Sequence, residues 1–506
     1  MSFTRKNVWG LGSDWADPIL WYARGVAAMK AKPLATTTSW RFYGAIHGID
    51  TALWQRFGYY SPSEPQPSAG DIDRYLDQCQ HGTWYFLPWH RGYLLAFEAN
   101  IRAEVVRLGG PADWALPYWN YFKPGQSALP PAFAKPDWPG GHGNNPLFVP
   151  QRWGPRHDGN VVVPTNMVNL DALNEHDFTG VPRGSTGFGG LDTGFEHGDH
   201  GFSHGQLEQQ PHDQVHSLVG GGDPHNPRIP GLMSDPDTAA LDPIFWLHHS
   251  NIDRLWQVWR QNPPSHMNPT DPPWLKGPAS IGDRKFSMPM PGGTPWDYIP
   301  SDMVDLSTLG YTYDDLPVAP PVLLSERLHR LGAPVGREGV LEGVATTMAS
   351  PKNVELVGAN QESLPIRGSD IRTSVQLDSG VRRKVSASLS AVGLEGVGPA
   401  AEPDRVFLNL ENVRGLVDST TFQVYIGESL AGSLAMFGVR KASLTEGVSA
   451  GQGLTFTLEI TKIVDALHLS NSLDVDSLNV RIVPTQPVPD EAQISIGRVS
   501  IFRQGS

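Results

Sequence analysis

Apolar residues recur every three to four positions in the first half of the chain and alternate with polar ones in the last third. That change of period divides the molecule. WHRGYLLAFEANIRAEVVRLG, starting at Trp89, reads as an amphipathic helix, and Pro88 stands where a first helical turn tolerates it. LDPIFWLHHSNIDRLWQVW, Leu241 to Trp259, opens on a turn-favouring Asp-Pro and runs into a second amphipathic helix carrying Asp253 and Arg254. Beyond residue 350 come RVFLNLENV, TFQVYIG, LTFTLEITKIV, LNVRIVP and AQISIGRVSIF, strand signals at the spacing of a β-sandwich or barrel. The predicted fold class is multidomain α+β, with an α-helical four-helix-bundle domain followed by a C-terminal β-sandwich or barrel.

Composition sharpens the division. All 16 tryptophans lie at or before Trp296, and of the 17 histidines only His329 and His468 lie beyond His266. LPVAPPV from Leu316 reads as a proline-rich linker. We therefore expect domains at 1–318 and 351–506, joined by a linker at 319–350. No apolar run approaches the roughly 18 residues of a membrane helix. The N-terminus carries neither a signal-peptide stretch nor a twin arginine, so the expected location is cytoplasmic. A net charge of -13 without basic clusters argues against nucleic acid or an anionic membrane as partner. A homo-oligomer is compatible with the sequence. One cysteine, Cys79, excludes an intramolecular disulfide.

The chemistry lies in two histidine sets, His47, His81 and His90, then His212, His216 and His249. Three neutral imidazoles can hold one copper ion, so two trios could hold a pair that binds dioxygen between them. His212 and His216 are four residues apart, which stacks both rings on one helical face. His81 and His90 are nine apart, and at about 100° per residue they would fall on opposite sides of one helix. His81 is therefore expected from a loop and His90 from the helix that follows Pro88. A third cluster, His197, His200 and His204, lies in the glycine-rich stretch 179–206 and reads as a solvated loop in preference to a copper-collecting or auxiliary metal site, because glycine leaves imidazoles poorly pre-organised. Neither His-Glu-x-x-His nor Cys-x-x-Cys occurs, so a zinc hydrolase is unsupported.

The segment around His248 and His249 resembles the second copper-binding segment of the type 3 copper proteins, the family of tyrosinases, catechol oxidases and molluscan haemocyanins. RFYGAIHGID around His47, PYWNY from Pro117 and Gly-Tyr-Thr-Tyr-Asp at 310–314 are similar to further stretches of that family. The resemblance implies two copper ions, with His249 as the ligand of the doublet and His248 behind it. It implies a thioether between Cys79 and His81, from the Cys-x-His pattern. Glu208, four residues before His212, matches a glutamate that holds a water for deprotonating phenols. Asp213 stands where hydroxylating members often have asparagine; a carboxylate can hold the same water, but a second acid near Glu208 would raise the pKa of one of them. Pro236 falls where plant enzymes often place a phenylalanine over the first copper, which implies a more open approach, and Ser217 is a further pocket residue. AGSLAMFG, 431–438, resembles the plant stretch carrying a plug over the copper pocket. Phe437 is the first choice there, with Leu434 and Met436 behind it.

The implied activity is that of a tyrosinase-type polyphenol oxidase. It would use two copper ions and dioxygen as co-substrate to ortho-hydroxylate monophenols, oxidise o-diphenols to o-quinones, or both, with a small phenol as partner. The alternatives are a catechol or o-aminophenol oxidase without monophenolase activity, and a haemocyanin-like oxygen carrier. Glu208 and the solitary unit favour an enzyme.

Overall fold

The computed structural model describes residues 2–195, 203–261, 266–317, 324–332, 353–392, 403–444, 451–473 and 475–505. Five helices carry the first part: α1 (Asp17–Lys30), α2 (Trp40–His47), α3 (Phe86–Arg107), α4 (Gln214–Gly220) and α5 (Pro243–Arg260). Local chemistry sets their ends. The Ser39 hydroxyl accepts the Phe42 N–H to start α2, and Asp242 caps α5 by accepting the Ile244 N–H, with Pro243 at the first position where its missing N–H costs nothing. Pro88 is the third residue of α3, so His90 rides on the helix while His81 precedes it in a loop, as expected.

Helices α3 and α5 are buried on nearly every side, so their polar residues must be paired inside. Asp253 of α5 accepts from Arg91, from Arg5 at 3.2 Å, from the Tyr311 hydroxyl at 2.7 Å and from the Tyr313 hydroxyl. Burial alone would push its carboxyl up, but Arg91 and Arg5 hold it below the ordinary value. Arg5 also pairs with Glu98 of α3 at 2.6 Å. The two tyrosines lie on a strand, Tyr311–Tyr313, that pairs in parallel with Phe3–Arg5 and fastens the two ends of the helical part together.

The C-terminal part is a nine-stranded sheet in which every neighbouring pair is antiparallel. The strand order is Ser429–Ala435, Thr421–Ile426, Ser477–Pro484, Ile371–Leu377, Asn353–Ala359, Ser495–Gly505, Arg405–Arg414, Leu454–Glu459, with Leu364–Pro365 beside Ser495–Gly505. The two ends of that order meet where Gly432 abuts the Leu458 side chain, so the sheet nearly closes into a barrel. The five alternating runs of the sequence are all strands here, although LTFTLEITKIV leaves the sheet at Ile460 and continues as a helix, Thr461–Leu469. Residues 324–332 of the expected linker contain a helix, Leu324–Arg330. Leu328 and Leu331 enter the C-terminal core, and Arg327 grips Asp465 through two nitrogens at 2.8 and 3.0 Å. Among the described residues no helix is long and apolar enough to cross a membrane.

Removing the acceptor that four buried donors share should be expensive. Asp253→Ala is expected to cost about 3–5 kcal/mol, read from urea unfolding by tryptophan fluorescence, since every tryptophan lies in the first part. A loss below about 1 kcal/mol would mean that the donors find other partners.

Candidate metal centre

Helices α2, α3, α4 and α5, the turn before α4 and the loop before α3 bring six imidazoles together. Within the first trio, ring centroids are 5.0 Å apart for His47 and His81, 5.3 Å for His81 and His90, and 5.7 Å for His47 and His90. Within the second they are 4.5 Å for His212 and His216, 4.8 Å for His212 and His249, and 5.4 Å for His216 and His249. The trios face each other, His90 stacking on His249 at 4.6 Å and 17°. All six are buried.

Four of the rings are aimed by what holds their outer nitrogen. The Nδ1–H groups of His47, His90 and His216 donate to the carbonyls of Pro236, Phe86 and Met233, each at 2.8 Å, and that of His212 donates to Asp213 at 2.9 Å. That anchoring fixes the tautomer and leaves the lone pair on Nε2, pointing inward. The Nε2 atoms of His47, His81 and His212 are buried with no hydrogen-bond partner. Those of His216 and His249 lie 3.2 Å apart, the spacing of two nitrogens sharing one ion at about 2.0–2.1 Å. Buried acceptors left unpaired cost about 1–3 kcal/mol each, so this convergence fits a cation. Burial holds His47 down to about 4 and the other five well below the ordinary histidine value, with mutual repulsion among the imidazoles adding to it. The donor set is neutral and nitrogen-rich, which suits copper.

Two neighbours complete the groups. The Cys79 sulfur lies 3.5 Å from His81 Nδ1 and 3.9 Å from His90 Nε2. His248 offers a nitrogen within 4.8 Å of those of His212, His216 and His249, so distance alone does not separate the doublet. His248 turns Nδ1 to the Tyr121 hydroxyl at 3.3 Å and leaves Nε2 buried without a partner, its ring 4.9 Å from that of His216, while His249 meets His216 and stacks on His90, so both members of the doublet border the second trio.

Glu208 and Asp213 bound a π-helical turn, Glu208–Asp213, that breaks at Gln210 (φ -141°, ψ 119°). Both Glu208 oxygens accept the Gly82 N–H, at 3.0 and 3.1 Å, which sets the carboxylate next to His81. Asp213 is engaged differently from the water-holding acid anticipated. One oxygen accepts from His212, and the other accepts from His204 Nδ1 at 2.7 Å. Its pKa is raised by burial, which His204 partly offsets. The solvated-loop reading of His204 is therefore wrong: the ring is buried beside both carboxylates. His197 and His200 lie outside the described residues. The signal was present in the spacing, since His204 is four residues before Glu208, but the glycines around it pointed to loop.

The C-terminal part covers the centre. Phe437 stacks on His216 at 4.3 Å and 22°, with its edge toward His212 at 5.7 Å and His81 at 6.0 Å. Leu434 and Met436, the secondary plug choices, are instead buried in the C-terminal core: Leu434 lies on the strand that ends at Ala435, Met436 still packs inward, and the Phe437 ring is the one that meets the histidines. Pro236 contributes its carbonyl to His47 and packs its ring beside Gly438, so it braces both a histidine and the cover. The Ser217 hydroxyl donates to the Asp418 carbonyl of the C-terminal part at 3.0 Å and so helps dock it. Sequence reasoning missed the ion pairs of this dock, Arg440 to Asp235 at 2.6 Å and Lys441 to Asp237 at 2.8 Å.

A helical core with two facing histidine trios under a β-barrel-like cover defines a copper oxidoreductase of the tyrosinase family, and the chain belongs to that family. It is similar to tyrosinase HcTyr1 of Hahella sp. (strain CCB-MM4), with 33% identity over 519 aligned positions covering 99% of both chains. The common central domain of tyrosinase matches residues 37–262, and a domain of unknown function (DUF7868) matches residues 353–504. Polyphenol oxidase A1, chloroplastic, of Vicia faba is 28% identical over 47% of this chain and 38% of its own. Latent apple tyrosinase shares the fold, with a TM-score of 0.60, 21% identity, and coverage of 100% of this chain and 98% of that one. The cytoplasmic expectation does not stand. Relatives from Vicia faba and Malus domestica are chloroplastic while HcTyr1 is bacterial, so the family spans compartments.

The depressed imidazoles give a pH signature. Unfolded histidines take up protons below about 6.5 while the buried rings stay neutral, so stability is complete above that value and declines as pH falls. For His47 the decline runs from about 6.5 down to about 4. The metal-free protein should lose melting temperature steadily over that window, and copper retention should fall with it. A flat melting temperature from pH 7 to 4.5 would contradict burial of neutral rings.

Proposed function

We propose that the chain is a tyrosinase-type polyphenol oxidase, with one copper held by His47, His81 and His90 and a second by His212, His216 and His249. The observation that carries this reading is the convergence of six buried imidazoles, four of them anchored from outside, with the Nε2 atoms of His47, His81 and His212 left without a protein partner. When bound, the copper pair supplies the reduction of dioxygen by electrons from a phenol or o-diphenol. The protein supplies orientation, dryness and proton transfer. Glu208, fixed on the Gly82 N–H beside His81, is the acceptor for a phenolic proton, through a water. His248 supports the second trio from behind, and the Cys79 sulfur is within reach of His81 for the thioether. Phe437 fills the space over both trios that a substrate ring would need, which makes the covered form latent. Loading the protein with copper and following tyrosine, catechol and an o-aminophenol separately tests the activity. Turnover of none would refute it, and turnover of o-diphenols alone would restrict it.

Metal analysis should give two coppers per chain, one in His249→Ala and two in His248→Ala, with the reverse pattern assigning the doublet the other way. In the same preparation, denatured copper-loaded protein should resist thiol alkylation at Cys79. Phe437→Ala should raise catechol turnover roughly tenfold at unchanged copper content, equivalent to removing about 1.4 kcal/mol of ring stacking that competes with substrate. No gain would make the C-terminal part a structural cover only.

A further inference from the structure

His204 is held in place from two sides. Ser203 forms a parallel bridge with Thr455 of the C-terminal sheet, and Gln209 exchanges two hydrogen bonds with the Thr457 backbone, at 3.0 and 3.3 Å. Between those anchors the His204 ring is buried, with Nδ1 2.7 Å from Asp213 Oδ2 and 3.7 Å from Glu208 Oε1. The short contact commits its N–H to Asp213. The other Asp213 oxygen accepts from His212 Nδ1 at 2.9 Å. A carboxylate that receives an imidazole N–H on each oxygen cannot turn without surrendering a charge-assisted hydrogen bond. A neutral amide at the same position could accept only on its single oxygen, so a carboxylate here calls for a second donor, which His204 provides.

We propose that His204 is a positioning residue that locks Asp213 onto His212, so that the His212 ring is aimed into the second histidine trio and Asp213 is kept from swinging toward Glu208. His204 acts through Asp213 and touches neither substrate nor metal. The inference rests on the reading of His212 as a metal ligand.

The test is a double-mutant cycle in the full chain, with His204→Phe, Asp213→Asn and the pair. It reads copper affinity by dialysis against a chelator, and KM and kcat for a monophenol and an o-diphenol. Loss of support for a ligating histidine commonly weakens metal binding about 10–100-fold, and His204→Phe should weaken one of the two coppers at the low end of that range. Asp213→Asn should do the same, and the double variant should be no worse than Asp213→Asn alone. His204→Gln, which keeps an N–H of similar reach, should restore most of the affinity. If His204→Phe disturbs folding by near-ultraviolet circular dichroism, His204→Asn, whose amide falls short of Asp213, takes its place in the cycle. Additive losses, or unchanged copper affinity in the disruptive variant, overturn the proposal. His212→Ala separates the two levels: if it keeps both coppers the ligand assignment fails, whereas loss of one copper there and none in His204→Phe removes the positioning role alone.

Discussion

The structure depends on keeping six imidazoles buried, neutral and aimed at two points. Neutral histidine in a dry interior is tolerable only if its N–H finds an acceptor, and four of the rings find one within 2.9 Å on the outward side. The four acceptors come from three separate places: the Phe86 carbonyl inside α3, the Pro236 and Met233 carbonyls on the segment before α5, and the Asp213 side chain before α4. Long-range packing is thus what turns scattered histidines into two trios, and the helices serve to hold the acceptors as much as the rings.

Such a site needs rigid helices, and burial of α3 and α5 forces their charges inward. Asp253, one turn along α5 from His249, collects two guanidinium groups and two tyrosine hydroxyls, while Arg91 sits next to His90 on α3. The ion network therefore ties together the two helices whose histidines stack face to face. The same carboxylate also reaches the strand pair that Arg5, Tyr311 and Tyr313 form, so one side chain serves both the packing of α3 against α5 and the tie between the ends of the helical part.

What the sequence disclosed was local. Helical periodicity, the Asp-Pro start of α5 and the nine-residue separation of His81 from His90 carry their own geometry, and the structure places both residues accordingly. The alternating C-terminal runs are equally local and appear as strands, whereas Asn353–Ala359, Ile371–Leu377 and Ser429–Ala435 alternate too weakly to announce themselves. Asp213 and His204 escape a sequence reading for a different reason. Their roles depend on a contact across nine residues, held by strands some 250 positions later, and the glycines around His204 outweigh the one local sign, its four-residue spacing from Glu208. Leu434 and Met436 mislead because a strand end and a loop look alike when both are apolar.

The cover shows the same separation of local and distant causes. Phe437 is almost completely buried, yet it belongs to neither apolar core; its neighbours are imidazoles. A barrel domain with a complete core of its own has no folding need for an aromatic side chain in a polar metal pocket. Around that contact the dock is largely polar, with Arg440 on Asp235 and Asp50, Lys441 on Asp237, and Arg405 on Glu175. Polar docking between two self-sufficient cores is the pattern of surfaces that can part without unfolding. An intact barrel core, a charged seam and a ring set among imidazoles are together what the proposed plug role of Phe437 rests on.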